Sequence, residues 1–200
     1  MCMFLRSKQR LRKKNLRGFS VGEVLLGSFI LAMGLTATTA LIAGSLRHSL
    51  QAQDVIVAAE LAQEGVELVR NVRDNDFAEG GNGFNPFSNG RRHCRRDYVE
   101  AVGSALNCQG GQGSASRYYL EYRSGFGGPA GYYQHSNTRG RFSRYIYVDY
   151  NQSGGEHTAL VRSFVYWGGA PVPPSDGSTA SCISVNRCVF AELVLTNWKP

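Results

Sequence analysis

Apolar and polar residues sort the chain into stretches of different character. Residues 1–18 hold Arg6, Lys8, Arg10, Arg12, Lys13, Lys14 and Arg17 and no acid. From Val24 to Leu46 no charged residue interrupts 23 positions, and Arg47 ends the run. As a helix rising about 1.5 Å per residue, that stretch is roughly 35 Å long, enough to cross a hydrocarbon core about 30 Å thick. Beyond it the pattern turns amphipathic. Leu50, Val57, Leu61, Leu68 and Val72 recur at spacings of seven and four, with Gln51, Gln53, Glu60, Gln63, Glu67 and Arg70 on other faces. Asp74-Asn75-Asp76 and the glycines after it are expected to end the helix. Unbroken from Phe19 to Asp74, it would run about 84 Å. Gly65 costs about 1 kcal/mol there relative to alanine; it reads either as a close-packing position or as a tolerated glycine.

The remainder predicts a sheet. Residues 75–117 read as irregular, with Gly80-Gly81-Asn82-Gly83, Asn85-Pro86, Asn89-Gly90 and Gly110-Gly111-Gln112-Gly113. Strand signals follow at 118–122, 144–150, 159–167 and 188–198, rich in β-branched and aromatic residues and separated by glycine and proline clusters. The expected architecture is α+β: a long N-terminal helix whose outer half lays its apolar stripe on a C-terminal antiparallel sheet. The divisions are 1–18 (basic leader), 19–46 (membrane half of the helix), 47–74 (amphipathic half) and 75–200 (head).

Charge refines this picture. The chain carries 22 basic and 15 acidic residues, and the leader alone holds seven of the basic ones. Without the leader the chain is neutral, so its basicity is that of a topogenic segment and no sign of a nucleic-acid partner. A cationic flank stays in the cytoplasm, so the chain after Arg47 is expected to face outward. A secretory signal has an apolar region of about 7–15 residues followed by an A-x-A-like site. Here the run is longer, and the nearest match, Ala32-Met33-Gly34, lies in its middle. A plain signal anchor would not account for Glu23, a carboxylate at the cytoplasmic end of the apolar run. Such a group calls for a cation at similar depth. Cutting before Phe19 would create one, a new α-amino group.

Gly18-Phe19, Glu23 as the fifth residue after that junction, and the apolar run Val24–Leu35 resemble the class III signal of type IV prepilins and type II secretion pseudopilins, most closely the minor-pilin branch. Residues 62–74 resemble the corresponding helix of bacterial pilin-like proteins, and the likeness covers about residues 12–74. The apolar run has no proline, a departure from many major pilins. The resemblance implies cleavage after Gly18 by a membrane-embedded prepilin peptidase, N-methylation of Phe19, and pairing of Glu23 with a neighbouring subunit's N-terminus. It further implies a structural subunit, of the minor kind, inserted once in the cell membrane with its N-terminus cytoplasmic. From there it would enter an extracellular or periplasmic filament with other pilin subunits and an inner-membrane assembly platform. Glycines 22, 27, 34 and 44, and the Ala40–Gly44 pair, would let helices approach closely in such a filament core.

Four cysteines, Cys94, Cys108, Cys182 and Cys188, lie in the segment placed outside, and Cys2 lies in the leader. Three pairings are possible. The local ones, Cys94–Cys108 and Cys182–Cys188, are favoured, and the second resembles the C-terminal disulfide loop of many pilins. A zinc site is the rival reading, without C-x-x-C spacing behind it. Gly18-Phe19-Ser20-Val21-Gly22 matches G-x-S-x-G but lacks the strand that a nucleophile elbow requires before it. His93, His135 and His157 sit in loop-like surroundings and read as solvated. No catalytic residue, metal or cofactor is assigned; a signal-anchored hydrolase is the alternative from another class. DNA binding is a subsidiary expectation. It rests on Arg91, Arg92, Arg95 and Arg96, and on Arg117, Arg123, Arg139, Arg141 and Arg144 interleaved with tyrosines, the pairing that single-strand binders use.

Overall fold

The computed structural model describes Gly18 and residues 20–100, 106–124, 131–153, 155–169, 172 and 174–197. Leader residues 1–17, including Cys2, lie outside the described residues, as do Phe19 and Trp198. The chain divides into two compact units after His48. One helix, α1 (Val21–Ala78), makes up the described part of the first and opens the second.

In the first unit every helical residue is exposed except half-buried Gly44. Its polar groups turn inward on the helix itself. The hydroxyls of Ser28, Thr36, Thr38 and Thr39 donate to the carbonyls of Leu25, Met33, Leu35 and Thr36, each at 2.9 Å. Such back-bonding satisfies them where water is absent. This helix is long and apolar enough to cross a membrane.

The second unit is a seven-stranded antiparallel sheet packed on the rest of α1. Its strands are β1 (Gly90–Arg95), β2 (Asn107–Gln109), β3 (Tyr119–Arg123), β4 (Tyr132–His135), β5 (Phe142–Ser153), β6 (Glu156–Trp167) and β7 (Cys188–Thr196). β5 is the hub. Along one edge it pairs with β6 from Phe142↔Trp167 to Ser153↔Glu156. Its other edge is shared, with β3 at one end and β1 at the other. β7 extends the sheet past β6, β2 past β1 and β4 past β3.

Alternation along the central strands sends side chains to two buried faces. Phe142, Ile146 and Val148 of β5, Val161 and Val165 of β6, and Leu195 of β7 meet the helix. Tyr145, Tyr147, Phe164 and Tyr166 point the other way and are covered by Tyr118 and the Cys182–Cys188 disulfide. The arginine-tyrosine interleaving is therefore divided: Tyr118 and Tyr145 are buried and Arg144, on the helix face, has no exposed surface, whereas Tyr122, Arg123, Arg139 and Arg141 are exposed.

Three expectations are corrected. The stretch 75–117 is not irregular throughout, since it contains β1, β2 and a 3-10 turn at Ala115–Tyr118. The helix ends four residues later than Asp74. Asn75 bonds Asn71 within it, Asp76 accepts from the Gly83 N–H at 2.7 Å, and Gly80, at φ +90°, turns the chain away. The buried stripe is Ala58, Leu61, Ala62, Gly65, Val66, Val69 and Val72, whereas Leu50 is exposed and Leu68 half-buried. Small residues line this stripe because the helix lies close to the sheet.

Gly65 shows how close. A Cβ built there would stand 2.2 Å from Ser163 Oγ and 3.0 Å from Arg144 Cδ. The close-packing reading holds. Gly65→Ala gains about 1 kcal/mol of helix propensity but meets an overpacking cost of about 1–3 kcal/mol. Thermal unfolding should show a net loss, larger for Gly65→Val. An unchanged melting point in both variants would contradict this packing.

Candidate functional site

The N-terminal junction is built as a helix cap. Ser20 precedes the first helical residue, and its backbone N–H donates to Glu23 Oε2 at 3.0 Å. The Val24 N–H bonds back to the Ser20 carbonyl at 3.2 Å. This Ser-x-x-Glu arrangement is the reciprocal half of a capping box, in which the third helical residue satisfies the N–H of the cap residue. The sequence carries that signature, and the Glu23 reading based on membrane depth passed over it. A carboxylate in the first turn also complements the helix dipole. Gly18 and Glu23 are both exposed, so neither is shielded from an enzyme or a partner chain.

In the head, the four cysteines form the two local disulfides. Cys94 and Cys108 face each other across the β1–β2 ladder, Cα atoms 4.0 Å apart. Cys182 and Cys188 tie the segment before β7 to that strand's first residue, at 4.8 Å. Oxidised in pairs, these sulfurs are not available as thiolate ligands, and no cluster of metal-binding side chains occurs among the described residues.

The basic run is dispersed by strand alternation. Arg91 lies 3.6 Å from Asp149, and Arg92 lies beside Gly110. Arg95 is half-buried at the end of β1. Arg96 is 3% exposed, its guanidinium 3.0 Å from Glu100 and its carbonyl accepting from Arg144. Arg96 is therefore withdrawn from any surface contact with nucleic acid, and the four arginines do not form one patch.

Nor are His93, His135 and His157 free in solvent. Each is tied into the head through its ring. His93 Nδ1 lies 2.5 Å from the Tyr145 hydroxyl, and the two rings stack. Burial pushes the His93 pKa below its ordinary value. His157 Nδ1 is 2.6 Å from the Tyr150 hydroxyl. His135, its side chain 1% exposed, engages Asp97 Oδ1 through Nδ1 at 2.5 Å and the Arg144 carbonyl through Nε2 at 3.2 Å. With both nitrogens occupied, His135 offers no free base to a substrate.

Asp97 sits at the centre of an interior ionic network. Burial alone would raise its pKa. The hydrogen bonds and charge of His135, with the charge of Arg144, outweigh burial and hold the carboxyl below its ordinary value. Arg144 spans from this network to the helix, 3.1 Å from Glu64 and 3.5 Å from the Leu61 carbonyl. These contacts hold the sheet to the helix and leave no open acid–base pair. No protein-family model matches the chain, and no curated protein or solved structure is similar to it at a meaningful level.

Proposed function

We propose that the chain is a prepilin-like structural subunit of the minor kind, cut after Gly18, methylated at Phe19 and assembled through α1 into a type IV pilus or a secretion-type pseudopilus. The observation that carries this reading is the form of α1. Its first part is apolar and, but for half-buried Gly44, exposed from Val24 to Leu46, and its continuation bears the stripe that packs on a sheet. A bare apolar helix requires a covering. The bilayer supplies one before assembly, and neighbouring helices supply another in a filament, where Gly22, Gly27, Gly34 and Gly44 allow close approach. The basic leader keeps the N-terminus in the cytoplasm and the disulfide-bonded head outside. The partners are a prepilin peptidase, other pilin subunits and an inner-membrane assembly platform.

Intact mass and N-terminal sequencing after expression with a prepilin peptidase test the processing step. A chain beginning with N-methyl-phenylalanine at residue 19 is expected. A chain retaining residues 1–18 would sink the reading and favour a signal-anchored enzyme.

Glu23 is tested by separating its two roles. Glutamine can still accept the Ser20 N–H in a capping box but brings no charge to a neighbour's amino terminus. Glu23→Gln is therefore expected to be processed normally, to keep its helix content, and to incorporate poorly into filaments. Incorporation at the level of the unaltered protein would reduce Glu23 to a cap.

A further inference from the structure

Beside the β1–β2 disulfide lies an open cavity of about 280 Å³, lined by Arg95, Gln109, Ser114, Ser116, Arg117 and Asn137. No carboxylate is among them. Elsewhere in the head guanidinium groups have acidic partners, as in Arg96–Glu100, Arg141–Asp54, Arg144–Glu64 and Arg162–Glu192. The Arg95 side chain has no ion pair or hydrogen bond among the described residues, and its charge acts on the nearby Tyr118 hydroxyl. Arg117 donates from Nη2 to the carbonyl and side-chain oxygens of Asn107 at 2.8 and 2.7 Å, while its buried Nε has no partner. Two guanidinium groups on one cavity without a counter-charge repel each other, and an anion between them would remove that cost.

We propose that this cavity binds a tetrahedral oxyanion, a phosphate or sulfate group. Its donors come from several directions, which suits an anion with oxygens on all sides. The guanidinium groups supply planar forks, the Ser114 and Ser116 hydroxyls lie 2.9 Å apart, and Gln109 and Asn137 bring side-chain amides. The walls are fixed in advance. Arg95 follows Cys94, while Asn107 and Gln109 flank Cys108, so the disulfide clamps both sides of the cavity at paired ladder positions. Gly113 closes the loop against this wall; a Cβ there would lie 3.1 Å from Gln109 Oε1. Such preorganisation is what a binding site requires of its supporting elements. The site does not depend on the reading of the N-terminal helix.

The test is thermal unfolding of the full chain in detergent at constant ionic strength, with chloride replaced by phosphate, sulfate or acetate. Phosphate and sulfate at saturating concentration should raise the melting point by about 2–4 °C, and planar acetate should not. Arg95→Gln should abolish the shift without unfolding the head, since that side chain has no hydrogen bond or ion pair to lose among the described residues. Arg117→Lys serves as a second variant and should weaken the shift. Glycerol 3-phosphate distinguishes sources: a larger shift than with inorganic phosphate assigns the site to an esterified group, a smaller one to the free ion, and either supports it. No shift beyond chloride, or a shift unchanged in Arg95→Gln, would overturn the proposal.

Discussion

Arg144→Met is expected to destabilise the head by about 3–5 kcal/mol, the usual cost of removing one member of a buried charge network. The partners left behind decide the size of the loss. Glu64 keeps a side chain 37% exposed and can turn to water. Asp97, 9% exposed, keeps its closer partner His135 and loses only the attraction of Arg144 at 3.9 Å, while the Arg96 carbonyl, in the buried seam, loses a 2.7 Å charge-assisted bond. The penalty should therefore fall mainly on the Arg96 carbonyl, with a smaller share on Asp97. Adding Asp97→Asn to Arg144→Met should cost less than the two single changes summed, as contacting residues couple. Denaturant unfolding of the four proteins measures this directly, and strict additivity would show that the two groups are not linked. The network also sets an acid limit. Because the folded pKa of Asp97 lies below its ordinary 3.8, its contribution is complete above that value and is lost as pH falls through the folded pKa. Stability of the unaltered head should drop on acidification below about pH 4, and Arg144→Met should flatten that slope.

Replacing Cys182 and Cys188 by serine should cost about 2–5 kcal/mol. Opening so short a loop accounts for about 2 kcal/mol in the chain-entropy model. The rest comes from what the disulfide covers, the second face of the sheet with Tyr145, Tyr147, Phe164 and Tyr166. Burial raises the Tyr145 and Tyr166 hydroxyl pKa values far above the ordinary 10. In the double variant those two tyrosines should titrate nearer to 10, a change visible by ultraviolet absorbance. A variant that loses stability but keeps both tyrosines non-titrating would confine the role of the disulfide to loop closure.

How legible the molecule was in its sequence depended on how each element announces itself. The apolar run, the amphipathic continuation and the strand signals at 144–150, 159–167 and 188–198 stand out because apolar periodicity and β-branched composition are the signals one reads. β1 could not be found that way. Its sequence, Gly90-Arg91-Arg92-His93-Cys94-Arg95, holds no aliphatic side chain and is fixed by pairing with β5. β4 is only four residues long and depends on β3. Ala58, Ala62 and Gly65 escaped the expected stripe because small residues do not register as apolar, and Val66 and Val69 because the spacing was followed through Leu68 instead. Arg144 at the helix–sheet seam, and the cover over the second sheet face, follow from tertiary contacts alone. In the head the two local disulfides were readable, and at the junction the Ser20–Glu23 cap was there to be read. The cavity beside Arg95 was not, since its six residues converge from separate loops and strands.

The order of the strands along the chain has a consequence for biogenesis. α1 is made first, yet Val66 and Val69 share their core cluster with Ile146, Val161 and Leu195, from the last strands to be made. Contacts this distant in sequence make folding slow. The helix stripe therefore stays uncovered until β7 has been synthesised. On the topology proposed above, the head crosses the bilayer as an unfolded chain and completes its sheet only afterwards, in a compartment that permits disulfides.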